Sequence, residues 1–100
     1  MIKKELLNLN NFKIDLNKLL IIKNKNEFKI NNTEKIILEK MINNPGKTFT
    51  RENIGNLIDL DKERSIDVII TRLRKKIETD PKNPKYLQTL RGMGYVLWIE

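Results

Sequence analysis

The chain contains no cysteine and no histidine among its 100 residues. Those two absences together remove the thiol nucleophile, the imidazole base, the disulfide and the zinc site of the usual ligand types. Any catalysis would have to run on carboxylates, lysines and hydroxyls, so the expectation is a protein that is not an enzyme and holds neither metal nor cofactor. Long apolar runs are missing too: none approaches the roughly 18 to 20 residues of a membrane span, and no short apolar segment with a small-residue cleavage site follows Met1. The reading is a soluble, cytoplasmic chain with no membrane partner. Arginine, finally, is absent from the first half, where residues 1–50 carry ten lysines and five acids.

What is present is 39% hydrophobic and 33% charged residues, apolar enough to offset the entropy of ordering by burial and long enough for one core. A single domain over residues 1–100 is expected. Lysine and arginine number 20 against 13 acids, for a net charge of +7, which favours a polyanionic partner. The second half is the less charged one, at +2 against +5, yet it holds all five arginines: Arg51, Arg64, Arg72, Arg74 and Arg91. The abundance of Lys, Asn and Ile suggests an AT-rich coding sequence in which lysine is the default cation. Arginine then marks places where a planar fork for phosphate or guanine is wanted rather than a point charge.

Along the first thirty residues, short apolar alternations (Leu7/Leu9, Phe12/Ile14/Leu16, Leu19 to Ile22, Phe28/Ile30) are separated by turns at Asn10-Asn11 and Lys25-Asn26. A period near two with such punctuation predicts antiparallel strands. Asn31 and Glu34 form the outline of a capping box that opens a helix with Ile37, Leu38, Met41 and Ile42 on its apolar face, and Asn44-Pro45-Gly46 ends it. Thr50 caps a short second helix carrying Ile54, Leu57 and Ile58. A third helix is predicted from about Lys62 to Glu78. Ile66, Ile70, Leu73 and Ile77 share its core seam, whereas Arg64, Val68, Thr71, Arg72 and Lys75 face the other way. Asp67 and Arg74 lie on one flank, where Asp67 is expected to pair across a turn with Arg64 or Arg74. The tail reads as a hairpin, Tyr86 to Leu90 and Tyr95 to Ile99 around Arg91-Gly92-Met93-Gly94.

Second helix, short connection, cationic third helix and hairpin follow one another in the order of a winged helix-turn-helix. Val68 supports that order, because a solvated helix face has no use for valine, whereas a groove-facing one can touch thymine methyls. The stretch from Arg64 to Glu78, then Asp80-Pro81, Pro84 and Tyr86 to Val96, together with Asn44-Pro45-Gly46, Arg51-Glu52 and Ile30-Asn31, resembles the C-terminal effector domain of OmpR/PhoB-type response regulators. The resemblance implies an α+β winged helix-turn-helix fold: an N-terminal antiparallel four-stranded sheet, three helices and a C-terminal β-hairpin wing. It also implies sequence-specific binding of double-stranded DNA with repeated half-sites, commonly as a dimer; separately, no coiled seam or large apolar patch is left over once the core stripes are assigned, so a monomer is expected in isolation. By position, base contact falls to Val68, Ile69 and Arg72. Backbone and wing contact falls to Arg51, Arg64, Ser65, Thr71, Arg74, Lys75, Thr89, Arg91, Gly92 and Tyr95.

Two departures stand out. Many members carry a polar residue where this chain has Ile69, which points to an apolar contact and a preference for A·T pairs. The connection from Asp59 to Glu63 is shorter than in several relatives, which bears on contact with RNA polymerase. The family's receiver domain, partner of a sensor histidine kinase, has no room in this chain, so the expectation is an excised effector domain or, alternatively, a stand-alone regulator without phosphorylation control. A competing reading is a protein-interaction module on the same scaffold, with Trp98, Phe12 and Tyr86 as contact candidates, although Trp98 and Phe12 are expected in the core or sheet. A small enzyme would need a carboxylate pair, but Glu34 is better explained as a cap.

Overall fold

A computed structural model describes residues 5–9, 11–58 and 63–99, with the side chains of residues 63–65 excepted. Four short strands come first: β1 (Leu6–Asn8), β2 (Phe12–Asp15), β3 (Leu20–Lys23) and β4 (Asn26–Lys29), paired antiparallel in that order. The registers place Leu7 opposite Ile14, Ile14 opposite Ile21, and Ile21 opposite Phe28. One row of apolar side chains therefore crosses the whole sheet, and Leu7, Ile14 and Ile21 are buried. Because side chains alternate faces with period two, a slip of one residue in any strand would turn this row to solvent. The β3–β4 turn uses Asn24 and Lys25, both in the left-handed region at φ 52° and 67°. That is one residue earlier than the sequence suggests, since successive positive φ values give the tight turn whose twist matches the strands.

Helix α1 (Asn32–Ile42) opens on Asn31 with a complete capping box: Asn31 accepts from the Glu34 N–H at 2.8 Å and Glu34 accepts from the Asn31 N–H at 3.0 Å. Glu34 does more than cap. Buried, it also takes Nζ of Lys76 at 3.0 Å, which ties the start of α1 to the end of the third helix. Helix α2 (Arg51–Ile58) is capped reciprocally as well, with Thr50 Oγ1 accepting from the Asn53 N–H and Asn53 Oδ1 accepting from the Thr50 N–H. Helix α3 (Glu63–Ile77) buries Ile66, Ile70, Leu73 and Ile77 to 1% exposure or less, the expected seam.

A second sheet, in the order β5-β7-β6, joins β5 (Thr48–Phe49) to the hairpin β6 (Leu87–Leu90) and β7 (Gly94–Leu97). Strand β5 is not foreseen in the sequence, where two residues between Gly46 and Thr50 show no alternation. It pairs Phe49 with Tyr95, and the chain comes so close that a Cβ on Gly94 would sit 2.1 Å from the Phe49 carbonyl oxygen. The core runs from the first sheet through the seams of the three helices to Leu87, Tyr95 and Leu97. Phe12 is in it, edge-on to Tyr86 at 4.8 Å. Trp98 departs from expectation: it is 45% exposed, one face lying over Gly46 just beyond the last strand. Among the described residues, no helix is long and apolar enough to cross a membrane.

Candidate nucleic-acid interface

The side of α3 opposite its core seam carries Val68, Thr71, Arg72 and Lys75. Val68 is 43% exposed there, and Thr71, Arg72 and Lys75 are exposed around it. Ile69 is different, being half-buried and packed against the core. Arg64 and Ser65, the expected backbone contacts at the start of the helix, lie outside the described side chains, and the connection over Asp59, Leu60, Asp61 and Lys62 lies outside the described residues. Thr71 turns its hydroxyl back to the Asp67 carbonyl at 2.9 Å, a common use of threonine within a helix.

Four of the expected backbone contacts, Arg51, Arg74, Thr89 and Tyr95, are tied together across α2, α3 and the hairpin. Arg51, at the start of α2, donates Nε to Asp67 Oδ1 at 2.9 Å, and the Tyr95 hydroxyl of β7 donates to the same oxygen. Arg74 donates Nε to the Leu87 carbonyl at 2.8 Å and a terminal N–H to Thr89 Oγ1, clipping α3 to the hairpin. The Arg51 and Arg74 guanidinium carbons lie 5.7 and 5.8 Å from the centre of the Tyr95 ring. Asp67 takes a cation from α2, because the first residue of that helix reaches over the flank of α3; of its two expected partners, Arg74 reaches the hairpin instead and Arg64 has its side chain outside the described residues.

The electrostatics follow from this packing. Partial burial pushes the Asp67 carboxyl up, but the hydrogen bonds from Tyr95 and Arg51 and the guanidinium charges outweigh it and hold the group below the usual carboxylate range. Burial, then the Asp67 carboxylate, raises the Tyr95 phenol. Arg51 is raised chiefly by its hydrogen bond to Asp67, whereas desolvation lowers Arg74. At the hairpin tip Arg91, Gly92 and Met93 are exposed, Met93 by 60%, and Gly92 takes a φ of +77°. Arg72 and Lys75 on the helix and Arg91 on the wing are therefore outward cations, while Tyr95 is only 4% exposed.

The family model described as "Transcriptional regulatory protein, C terminal" matches residues 25–97. The chain belongs to this OmpR/PhoB-type DNA-binding family. The Bacillus subtilis (strain 168) regulatory protein YcbL is 38% identical over 88 residues, covering 84% of this chain and 39% of YcbL. The response regulator DrrB of Thermotoga maritima, an OmpR/PhoB homologue, superposes with a TM-score of 0.82 at 32% identity over 95% of this chain and 45% of DrrB. The DNA-binding domain of the response regulator AdeR, solved with an intercistronic region, gives a TM-score of 0.69 at 30% identity over 92% of this chain and 98% of that one. The chain thus corresponds to a DNA-binding domain of response-regulator type, in a family that is not one of enzymes, and it spans about two fifths of YcbL.

Two features of this effector domain were not legible in its sequence. The Arg51–Asp67–Tyr95 cluster joins residues 16 and 28 positions apart, and the signal that could have found it is the lone acid on a helix flank otherwise carrying cations. The buried Glu78 is the second. Its carboxylate accepts the N–H groups of Lys85, Tyr86 and Leu87 at 2.7, 3.0 and 2.7 Å, and so fixes where the hairpin leaves α3.

Proposed function

We propose that this effector domain binds double-stranded DNA sequence-specifically to regulate transcription, with α3 in the major groove and the β6–β7 wing on the backbone or in the minor groove. The observation that carries the reading is Val68, 43% exposed in the middle of a cationic helix face, where a thymine methyl gives it an apolar partner. Arg72, one helical turn on, supplies the fork for guanine, and Ile69 contributes from the edge of the core. Arg91, Gly92 and Thr89 on the wing, with Thr71, Lys75, Arg64 and Ser65 on the helix, hold phosphates. Arg51, Arg74 and Tyr95 meet the backbone from the cluster around Asp67. The AdeR domain's complex with an intercistronic region supports the assignment.

The domain serves as the effector portion of a longer two-component regulator, one domain over residues 1–100 whose receiver domain and sensor kinase control it. It acts as a dimer on repeated half-sites and meets RNA polymerase. Selection of bound duplexes from a random pool tests the reading, because it should return a half-site, its spacing and its copy number. On that site Arg72→Ala should cut discrimination against mismatched sites by about 1–3 kcal/mol, whereas Arg91→Ala should weaken all duplexes alike. An unchanged ratio of selected-site to random affinity in Arg72→Ala would overturn the groove assignment. Exposed Trp98 favours a second reading, a protein-interaction module. Failure to bind any duplex at low salt, together with a partner captured through Trp98, would establish that reading instead.

A further inference from the structure

An acid on a surface meant for phosphates has to be explained. Asp67 stands beside Val68 on α3, and its side chain remains 46% exposed. An exposed pair of this kind adds little to folding stability, and a carboxylate near a phosphate repels it. Yet one oxygen of Asp67 collects donors from two other elements, Arg51 from α2 and Tyr95 from β7, while its backbone carbonyl takes the Thr71 hydroxyl. Arg51 is engaged through Nε, and a guanidinium has further N–H groups to offer beyond that one. The carboxylate therefore orients the arginine without consuming it, and fixes the arginine relative to the helix face that carries Val68 and Arg72.

We propose that Asp67 is a specificity-determining positioning residue: it locks Arg51 and the wing to α3 in one geometry, and its negative charge weakens attraction to phosphates that do not fit that geometry. The inference rests on the DNA-binding reading above. Attraction to phosphate is sequence-independent, so an acid that lowers it everywhere, while locking a cation where the right site needs it, widens the gap between right and wrong duplexes. Tyr95 takes part through its hydroxyl alone and adds no charge.

The test titrates the full chain and its variants with the duplex selected from the random pool and with a random duplex of equal length, alongside thermal unfolding. Asp67→Asn should bind the random duplex about threefold more tightly and the selected duplex several-fold more weakly, because charge and lock are lost together. Asp67→Glu keeps the charge, and so should return random-duplex affinity to the wild-type value. Tyr95→Phe removes one donor and no charge, and should weaken the selected duplex more than the random one. Equal loss on both duplexes in Asp67→Asn and Tyr95→Phe, the mark of a merely structural role, would overturn the proposal, as would unchanged affinities. Failure of the wild-type chain to prefer any duplex would instead overturn the DNA-binding reading itself.

Discussion

Glu78 ends α3 with a carboxylate that is 1% exposed and satisfied by three backbone N–H groups of the following loop. Truncating it would leave the buried Leu87 donor and two part-buried ones without a partner, the costly side of hydrogen-bond energetics. Glu78→Ala should destabilise the fold by on the order of 3–5 kcal/mol and lower Tm by roughly 15 °C or more in a scanning calorimeter. Glu78→Gln, which keeps an acceptor, should lose less. Asp67 gives a pH dependence of the ordinary carboxylate sign. Its folded value lies below the usual 3.8, so its contribution is complete above that value and is lost as pH falls through the lower, folded one. Urea midpoints of wild type and Asp67→Asn should converge below pH 3.8, and a gap that persists at the acid end would contradict the pairing. The sequence misses this cluster because helical periodicity reports neighbours one turn away, and the partners of Asp67 come from α2 and β7.

At the scale of elements, legibility follows the length of the repeating signal. The row Leu7, Ile14, Ile21 and Phe28 is written as an alternation in four successive segments, and the registers agree with it. The α3 seam and the α1 capping box are equally plain, since each rests on several residues at fixed spacing. Strand β5 escapes because two residues carry no period, and its existence depends on Gly94, which no local pattern links to Phe49. At φ +136° and with the Phe49 carbonyl in the way, Gly94 admits no side chain. Gly94→Ala should cost on the order of 3 kcal/mol by combining a disfavoured φ with a backbone clash. Amide hydrogen exchange should show the loss concentrated in β5 and β7. Trp98 escapes for a different reason: an aromatic at a strand end suggests burial, but the strand stops one residue earlier and the ring lies on Gly46.

For the whole molecule, the net charge of +7 says less than where its cations stand. The half bearing all the arginines is the less charged one, and on the proposed footprint the arginines with described side chains divide between Arg72 and Arg91, which face outward, and Arg51 and Arg74, which hydrogen-bond neighbouring elements. Affinity for duplex DNA should fall with salt at a logarithmic slope of about −0.9 per phosphate neutralised. Arg91→Ala should reduce that slope by about one contact, and a slope indifferent to Arg91 would remove the wing from the footprint. Lysines have a separate task. Nζ of Lys23 donates to the Lys75 and Glu78 carbonyls, both at 2.8 Å, and Nζ of Lys76 donates to the Lys29 carbonyl as well as to Glu34. A cation on the last carbonyls of a helix satisfies groups that otherwise have no partner and complements the helix dipole. These two amines are therefore chemically occupied. Under a mild acylating reagent they should stay unmodified while surface lysines such as Lys25 and Lys82 react. Once forced to react, they would release the end of α3 from the first sheet, so acylation would unfasten α3 from its support in addition to whatever is lost at Lys75, the exposed lysine of the proposed DNA footprint.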